Sequence, residues 1–131
     1  MNLLLDTQAL IWWRQGNRKL GPRARAAIGR HAGDVRVSAA SAWELAIKFR
    51  RGRLKLREPL HVWLPAALED GGFGVLSVTI DHALASATLP AHHEDPFDRL
   101  LIAQAQVEGL TILTADAAFD DYPVSVLDAR S

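Results

Sequence analysis

The sequence predicts an α/β fold, a central parallel β-sheet flanked by helices on both faces. Three features predict it. Short apolar runs recur along the chain, brief and uniformly apolar, as strands buried on both sides are. Stretches of helical make-up lie between them, and strands alternating with helices build parallel sheets. Glycine or proline stands at most of the junctions.

Residues 2–6 open the chain as a buried strand built on Leu3, Leu4 and Leu5. Residues 7–14 carry good helix formers and stop at Gln15-Gly16-Asn17. Pro22 suits a first helical turn, so residues 22–32 read as a basic helix. Residues 35–38 form a second strand and 41–51 a helix stopped by Gly52. Residues 59–69 are helical, with Pro65 blurring the start and Gly71-Gly72 marking the end. A strand at 75–78 and a short helix at 81–88 follow. The clearest helix covers 96–108, opened by Pro96 and closed by Gly109. Strands at 111–113 and 124–127 complete the series. With no repeat and no low-complexity linker, residues 1–131 read as one domain.

Composition narrows the class. Apolar residues make up 49% and charged residues 23%, as in ordinary globular proteins. Cysteine is absent, which excludes disulfides and thiolate metal sites. Asp6 follows the three leucines at once, so no signal-peptide core forms, and no apolar run approaches the ~20 residues that span a bilayer. A cytoplasmic location is expected. The net charge of +0 conceals a split. Residues 1–57 hold thirteen of the 15 Lys/Arg and three of the 15 acids, a balance of +10; the remainder carries −10. The densest basic run is Lys48, Arg50, Arg51, Arg53, Lys55 and Arg57. It reads either as a solvated helix end or as a surface for a polyanion.

Four acids stand where a strand hands over to a helix or where a helix begins: Asp6, Glu44, Asp98 and Asp116. Each alone has a structural explanation. Ser41-Ala42-Trp43-Glu44 matches a capping box. Asp95 fits a helix cap before Pro96, and Asp98 suits the first turn. Asp6 and Asp116 fit N-caps. Together they carry more. In a parallel sheet the carboxyl ends of the strands share one crevice, so these acids converge. Crowded carboxylates raise one another's pKa, and a hard divalent cation relieves the repulsion. Mg²⁺ or Mn²⁺ held this way activates water and offsets charge on a phosphoryl group. The chemistry is that of a metal-dependent phosphodiester hydrolase. Thr114, two residues before Asp116, fits a supporting hydroxyl. His92 and His93 read as loop hydrogen-bonding groups, since no second His or Cys cluster completes a zinc site. Arg99 reads as an ion-pair partner of Asp95, with contact to substrate as the alternative. Adjacent tryptophans point about 100° apart on a helix, so one of Trp12 and Trp13 should be partly exposed.

Leu4-Leu5-Asp6-Thr7, Ser41-Ala42-Trp43-Glu44-Leu45-Ala46-Ile47-Lys48, His92-His93-Glu94-Asp95-Pro96-Phe97-Asp98-Arg99 and Thr114-Ala115-Asp116 occur in the order expected of a PIN domain. More narrowly, the chain resembles VapC-type toxins of type II toxin–antitoxin systems, along nearly its whole length. The resemblance implies a Mg²⁺- or Mn²⁺-dependent endoribonuclease that blocks translation by cutting RNA. It implies that Asp6 and Asp98 are the principal metal ligands, that Asp116 ligates directly or through water, and that Glu44 helps hold metal or the attacking water. Thr114 matches a supporting position. It further implies a VapB-type antitoxin lying across a groove walled by the helices of Trp12, Trp13 and Trp43, and a homodimer. The alternatives are a non-catalytic RNA-binding module and a PIN-type nuclease acting on DNA. If the basic run meets RNA, replacing Arg50, Arg51 and Arg53 together should weaken RNA binding and flatten its salt dependence; an unchanged salt slope would return the run to the solvated reading.

Overall fold

The computed structural model describes residues 1–131, save the side chain of Ala32. Leu3–Leu5 form β1, the central strand of a five-stranded, all-parallel sheet. The helices α1 (Thr7–Gln15) and α2 (Pro22–Arg30) follow. Then come β2 (Val35–Ser38), α3 (Ala39–Arg50), α4 (Leu60–Gly71) and β3 (Gly74–Leu76). The remainder is α5 (Ile80–Ala87), α6 (Pro96–Glu108), β4 (Thr111–Thr114), a 3₁₀ turn over Ala117–Asp121, and β5 (Val126–Asp128). The sheet order is β3-β2-β1-β4-β5. The chain builds outward from β1 on one side and then crosses to the other. That reversal leaves a crevice at the carboxyl ends of β1 and β4.

The period-two alternation of β1 sorts the two cores. Leu3 and Leu5 face Leu10, Ile28, Leu45 and Trp63 from α1 to α4. Leu4 faces the opposite way, against Leu101, Ile102 and Ala105 of α6 and against Phe119 and Tyr122. All three leucines are fully buried, which is why the strand carries no polar residue until Asp6. The helix stops match expectation best at Gly109, whose φ of 67° is a left-handed value that glycine adopts freely.

One local expectation fails. The N-cap of α3 is Ser38, not Ser41: Ser38 Oγ accepts from the Ala40 N–H at 3.0 Å and donates to Gln104 Oε1 at 2.6 Å. The helix therefore starts directly at the end of β2 with no intervening loop. Ser41 is buried inside the helix, and its hydroxyl finds no hydrogen-bond partner among the described residues. Glu44 lies in the second turn, too far along to reach back to the cap. The start of α4 matches expectation to within one residue: Pro59 is its N-cap, and Pro65 lies inside the helix.

The two serines should separate cleanly by mutation. Ser38→Ala removes a cap and leaves Gln104 short of a donor, and should cost about 1–2 kcal/mol in urea unfolding. Ser41→Ala removes an unpartnered buried hydroxyl and should be neutral or stabilising. The reverse ranking would restore the capping box at Ser41.

Candidate metal centre

Asp6 stands where β1 ends and α1 begins. Its Oδ1 accepts from the Ala9 N–H at 2.7 Å, capping α1, and its Oδ2 accepts from Thr114 Oγ1 at 2.5 Å. Thr114 closes β4 and also accepts from the Asp116 N–H at 3.1 Å. Asp116 in turn caps the 3₁₀ turn, its Oδ1 accepting from the Ala118 N–H at 2.9 Å. Glu44 enters from α3. Thr7 Oγ1 donates to Glu44 Oε1 at 2.5 Å, and Lys48, one turn on, pairs with Oε2 at 3.1 Å. Asp98 enters from the first turn of α6. Asp6, Glu44, Asp98 and Asp116 all line one cleft of about 480 Å³, and Asp95 lines it with them.

Asp95 caps α6 through Oδ1, which accepts from the N–H groups of Phe97 and Asp98. Its expected pairing with Arg99 is not formed. The Arg99 guanidinium donates instead to the carbonyls of Ser86, Leu89, Pro90 and His93, at 2.8–3.1 Å. A planar cation with five donors suits a curved loop backbone better than a carboxylate already engaged in capping. Arg99 thereby ties the loop between α5 and α6 to the start of α6.

That loop delivers a group the sequence reading assigned elsewhere. His93 Nε2 donates to Asp98 Oδ2 at 2.7 Å and lies 3.9 Å from Asp116 Oδ2. The three side chains each offer a ligand atom, all within 4.8 Å of one another. Its spacing of five residues before Asp98 was the available signal. His92 packs against the Tyr122 ring instead, at 5.4 Å between centroids. The tryptophans divide as geometry requires: Trp12 is buried and Trp13 half-buried against Phe73. Trp43 is 65% exposed, edge-on to Phe97.

Burial dominates the electrostatics. It pushes the Asp6 carboxyl up to about 6, against the lowering pull of the Thr114 and Ala9 hydrogen bonds; Glu44 and Asp116 add to the rise. Burial likewise pushes Asp98 up to about 6, opposed by the His93 hydrogen bond, with Asp95 and Glu44 raising it further. His93 is raised above the ordinary imidazole value, chiefly by its hydrogen bond to Asp98. Two carboxyls are thus reluctant anions near neutral pH. The donor set is hard, oxygen-rich and anionic, which suits Mg²⁺ or Mn²⁺ rather than a thiophilic metal.

The PIN-domain family model matches residues 3–124. The chain is 32% identical over 115 residues to Ribonuclease VapC22 of Mycobacterium tuberculosis, covering 87% of this chain and 86% of that relative. In fold it is similar to DNA-bound VapBC2 from Rickettsia felis, with a TM-score of 0.74 at 15% identity over 97% of this chain and 98% of that one. DNA-bound VapBC from Salmonella typhimurium gives a TM-score of 0.74 at 17% identity, covering 98% of both chains. The chain belongs to the PIN-domain family.

The raised acids make stability depend on pH and on cations. Asp6 titrates near 3.8 when unfolded and near 6 when folded, so across that interval the folded state binds more protons. Its contribution is fully present below about pH 4 and is lost as pH rises through about 6. In EDTA at about pH 7, Asp6→Asn, which keeps a capping oxygen, should therefore be more stable than wild type, by at most roughly 3 kcal/mol. Adding Mg²⁺ should stabilise wild type more than the variant. Identical pH profiles for the two proteins in urea unfolding would contradict the buried, raised carboxyl.

Proposed function

We propose that this PIN-domain chain is a divalent-metal-dependent endoribonuclease, the toxin of a type II toxin–antitoxin pair, which inhibits translation by cutting RNA. It acts as one domain over residues 1–131, in the cytoplasm. Among the described residues no helix is long and apolar enough to cross a membrane. The observation that carries the reading is the convergence of four carboxylates, from β1, α3, α6 and the end of β4, on one cleft. Two of them are held near 6 by burial. Similarity to a protein named as a ribonuclease supports the reaction class.

Asp6 and Asp98 would hold the Mg²⁺ or Mn²⁺, with Asp116 ligating directly or through water and Glu44 holding metal or the attacking water. A bound ion supplies charge neutralisation on the phosphoryl group and makes water more acidic. The chain's own contribution is orientation. Thr114 fixes Asp6 Oδ2 by hydrogen bonding, and the same hydroxyl sets the backbone of Asp116. Thr7 and Lys48 engage the two oxygens of Glu44 and fix its carboxylate plane. Such supporting hydroxyls keep a charged ligand aligned before substrate arrives.

Partners follow from the same surface. Similarity in fold to VapBC complexes supports a VapB-type antitoxin as partner. Trp12 lines the acid cleft, and exposed Trp43 stands beside Phe97 on α3 and α6. These side chains would wall a groove into which the antitoxin places a basic group. Homodimer formation is supported by Ile80 and Leu84, one turn apart on α5 and exposed at 78% and 64%.

Cleavage of single-stranded RNA with Mg²⁺, and its loss in EDTA, tests the reading. Asp98→Asn should lower the rate at least about a hundredfold with the fold intact, because the cap of α6 is Asp95. Thr114→Val should lower it about 10–100-fold. Undiminished cleavage by Asp98→Asn would sink the mechanism. New ends on DNA but not RNA in a parallel digest would change the substrate, and metal-independent binding without new ends would leave a binding module.

A further inference from the structure

The acid cleft has a cationic rim. Lys19, Lys48 and Arg130 line it together with the carboxylates. Lys48 is paired with Glu44, whereas Lys19 and Arg130 form no ion pair with any acid among the described residues. Arg130 is one of two Lys or Arg residues after residue 57, and the other, Arg99, is engaged by loop carbonyls.

Packing sets the place of Arg130. The Gly21 N–H donates to the Ala129 carbonyl at 2.8 Å, and the Ala24 N–H to the Ser131 carbonyl at 3.0 Å. The last residues thus lie against the turn between α1 and α2. A Cβ on Gly21 would stand 2.1 Å from the Ser131 oxygen and 2.4 Å from the Arg130 oxygen, both backbone atoms. The φ of Gly21 is −68°, so glycine is required for this close approach and not for its conformation. Ala129 is buried, Asp128 Oδ1 accepts from the Arg130 N–H at 2.9 Å, and the guanidinium lies 5.9 Å from the centroid of the Trp12 ring. The same turn carries Lys19. One backbone contact therefore brings both unpaired cations to one side of the acid cleft.

A carboxylate cluster repels a polyanion, so a substrate phosphate beside it needs cations close by. A guanidinium fork held over an aromatic ring is suited to phosphate oxygens. We propose that Arg130, with Lys19, grips the phosphodiester backbone of the RNA strand next to the bond presented to the acids. Gly21 is the positioning residue, because it lets the tail lie down and set the grip. The inference rests on the ribonuclease reading above and names how its substrate is held.

Binding of a labelled single-stranded RNA oligonucleotide tests this, read by fluorescence anisotropy with Mg²⁺ in the Asp98→Asn background across a salt series. Arg130→Ala should weaken binding about tenfold and reduce the slope of log affinity against log salt by about 0.7, the loss of one phosphate contact on a single strand. Arg130→Lys should recover part of both. Gly21→Ala, which keeps every cation, should reproduce the loss, and the combined variant should bind no more weakly than either alone. Arg130 is exposed, so Arg130→Ala keeps the fold and decides the matter even where Gly21→Ala unfolds. Unchanged affinity and slope in Arg130→Ala would overturn the proposal while leaving the ribonuclease reading intact. A parent protein that neither binds nor cuts RNA would overturn both.

Discussion

A single hydroxyl joins the two strand ends on which the site depends. Thr114 Oγ1 donates to Asp6 Oδ2 and accepts from the Asp116 N–H. It spans β1 and β4, neighbours on either side of the point where the sheet order reverses. Asp6 is 8% exposed, and burying a carboxylate there is unfavourable without such partners. The Thr114 and Ala9 donors recover part of the desolvation, and the carboxyl still sits near 6. The fold therefore tolerates a strained anion at its centre, and the proposed cation is what would relieve it.

Capping and ligation need not compete for the same oxygen. Asp6 and Asp116 each cap through Oδ1. Asp6 Oδ2 takes the Thr114 hydroxyl, and Asp116 Oδ2 faces His93. Asp95 divides the labour differently: by capping α6 it frees Asp98 from that duty, and the side chain of Asp98 pairs with His93. Helix N-termini also present partial positive charge to nearby anions. The same geometry that ends strands and starts helices thus gathers the carboxylates and lessens the repulsion among them.

Much of this was legible in the sequence because it follows from periodicity and junction chemistry. Three leucines followed by an acid read directly as a buried strand and its end, and Pro96 to Gly109 as a bounded helix. What was not legible depended on long-range contacts. Ser38 caps α3 while bonding Gln104, 66 positions away, and that contact moved the helix start ahead of the capping box at Ser41. Arg99 found loop carbonyls in place of the neighbouring Asp95, since the loop between α5 and α6 folds back over it. His93 read as an ordinary loop residue until that loop brought it to Asp98. Local pattern names the partners a side chain prefers; the tertiary fold decides which of them are within reach.

The charge split acquires a different meaning in three dimensions. Along the chain, basic and acidic halves look like separate territories. In the fold the acid cleft draws carboxylates from both halves, and so does its rim of cations: Lys19 and Lys48 from the first, Arg130 from the second. Arg130 gets there because Gly21 has no side chain where the tail must pass. A mixed rim is what a nuclease cleft needs, since anions alone would hold a metal and repel the strand. The exposed run of Arg50, Arg51 and Arg53 lies on and just beyond the end of α3 that leads away from Glu44. Its contribution would extend a grip on phosphate that begins at the rim, and the two sets of cations would differ in kind. The proposed rim would place charge beside the reacting bond, whereas a solvated run attracts a polyanion over about a Debye length.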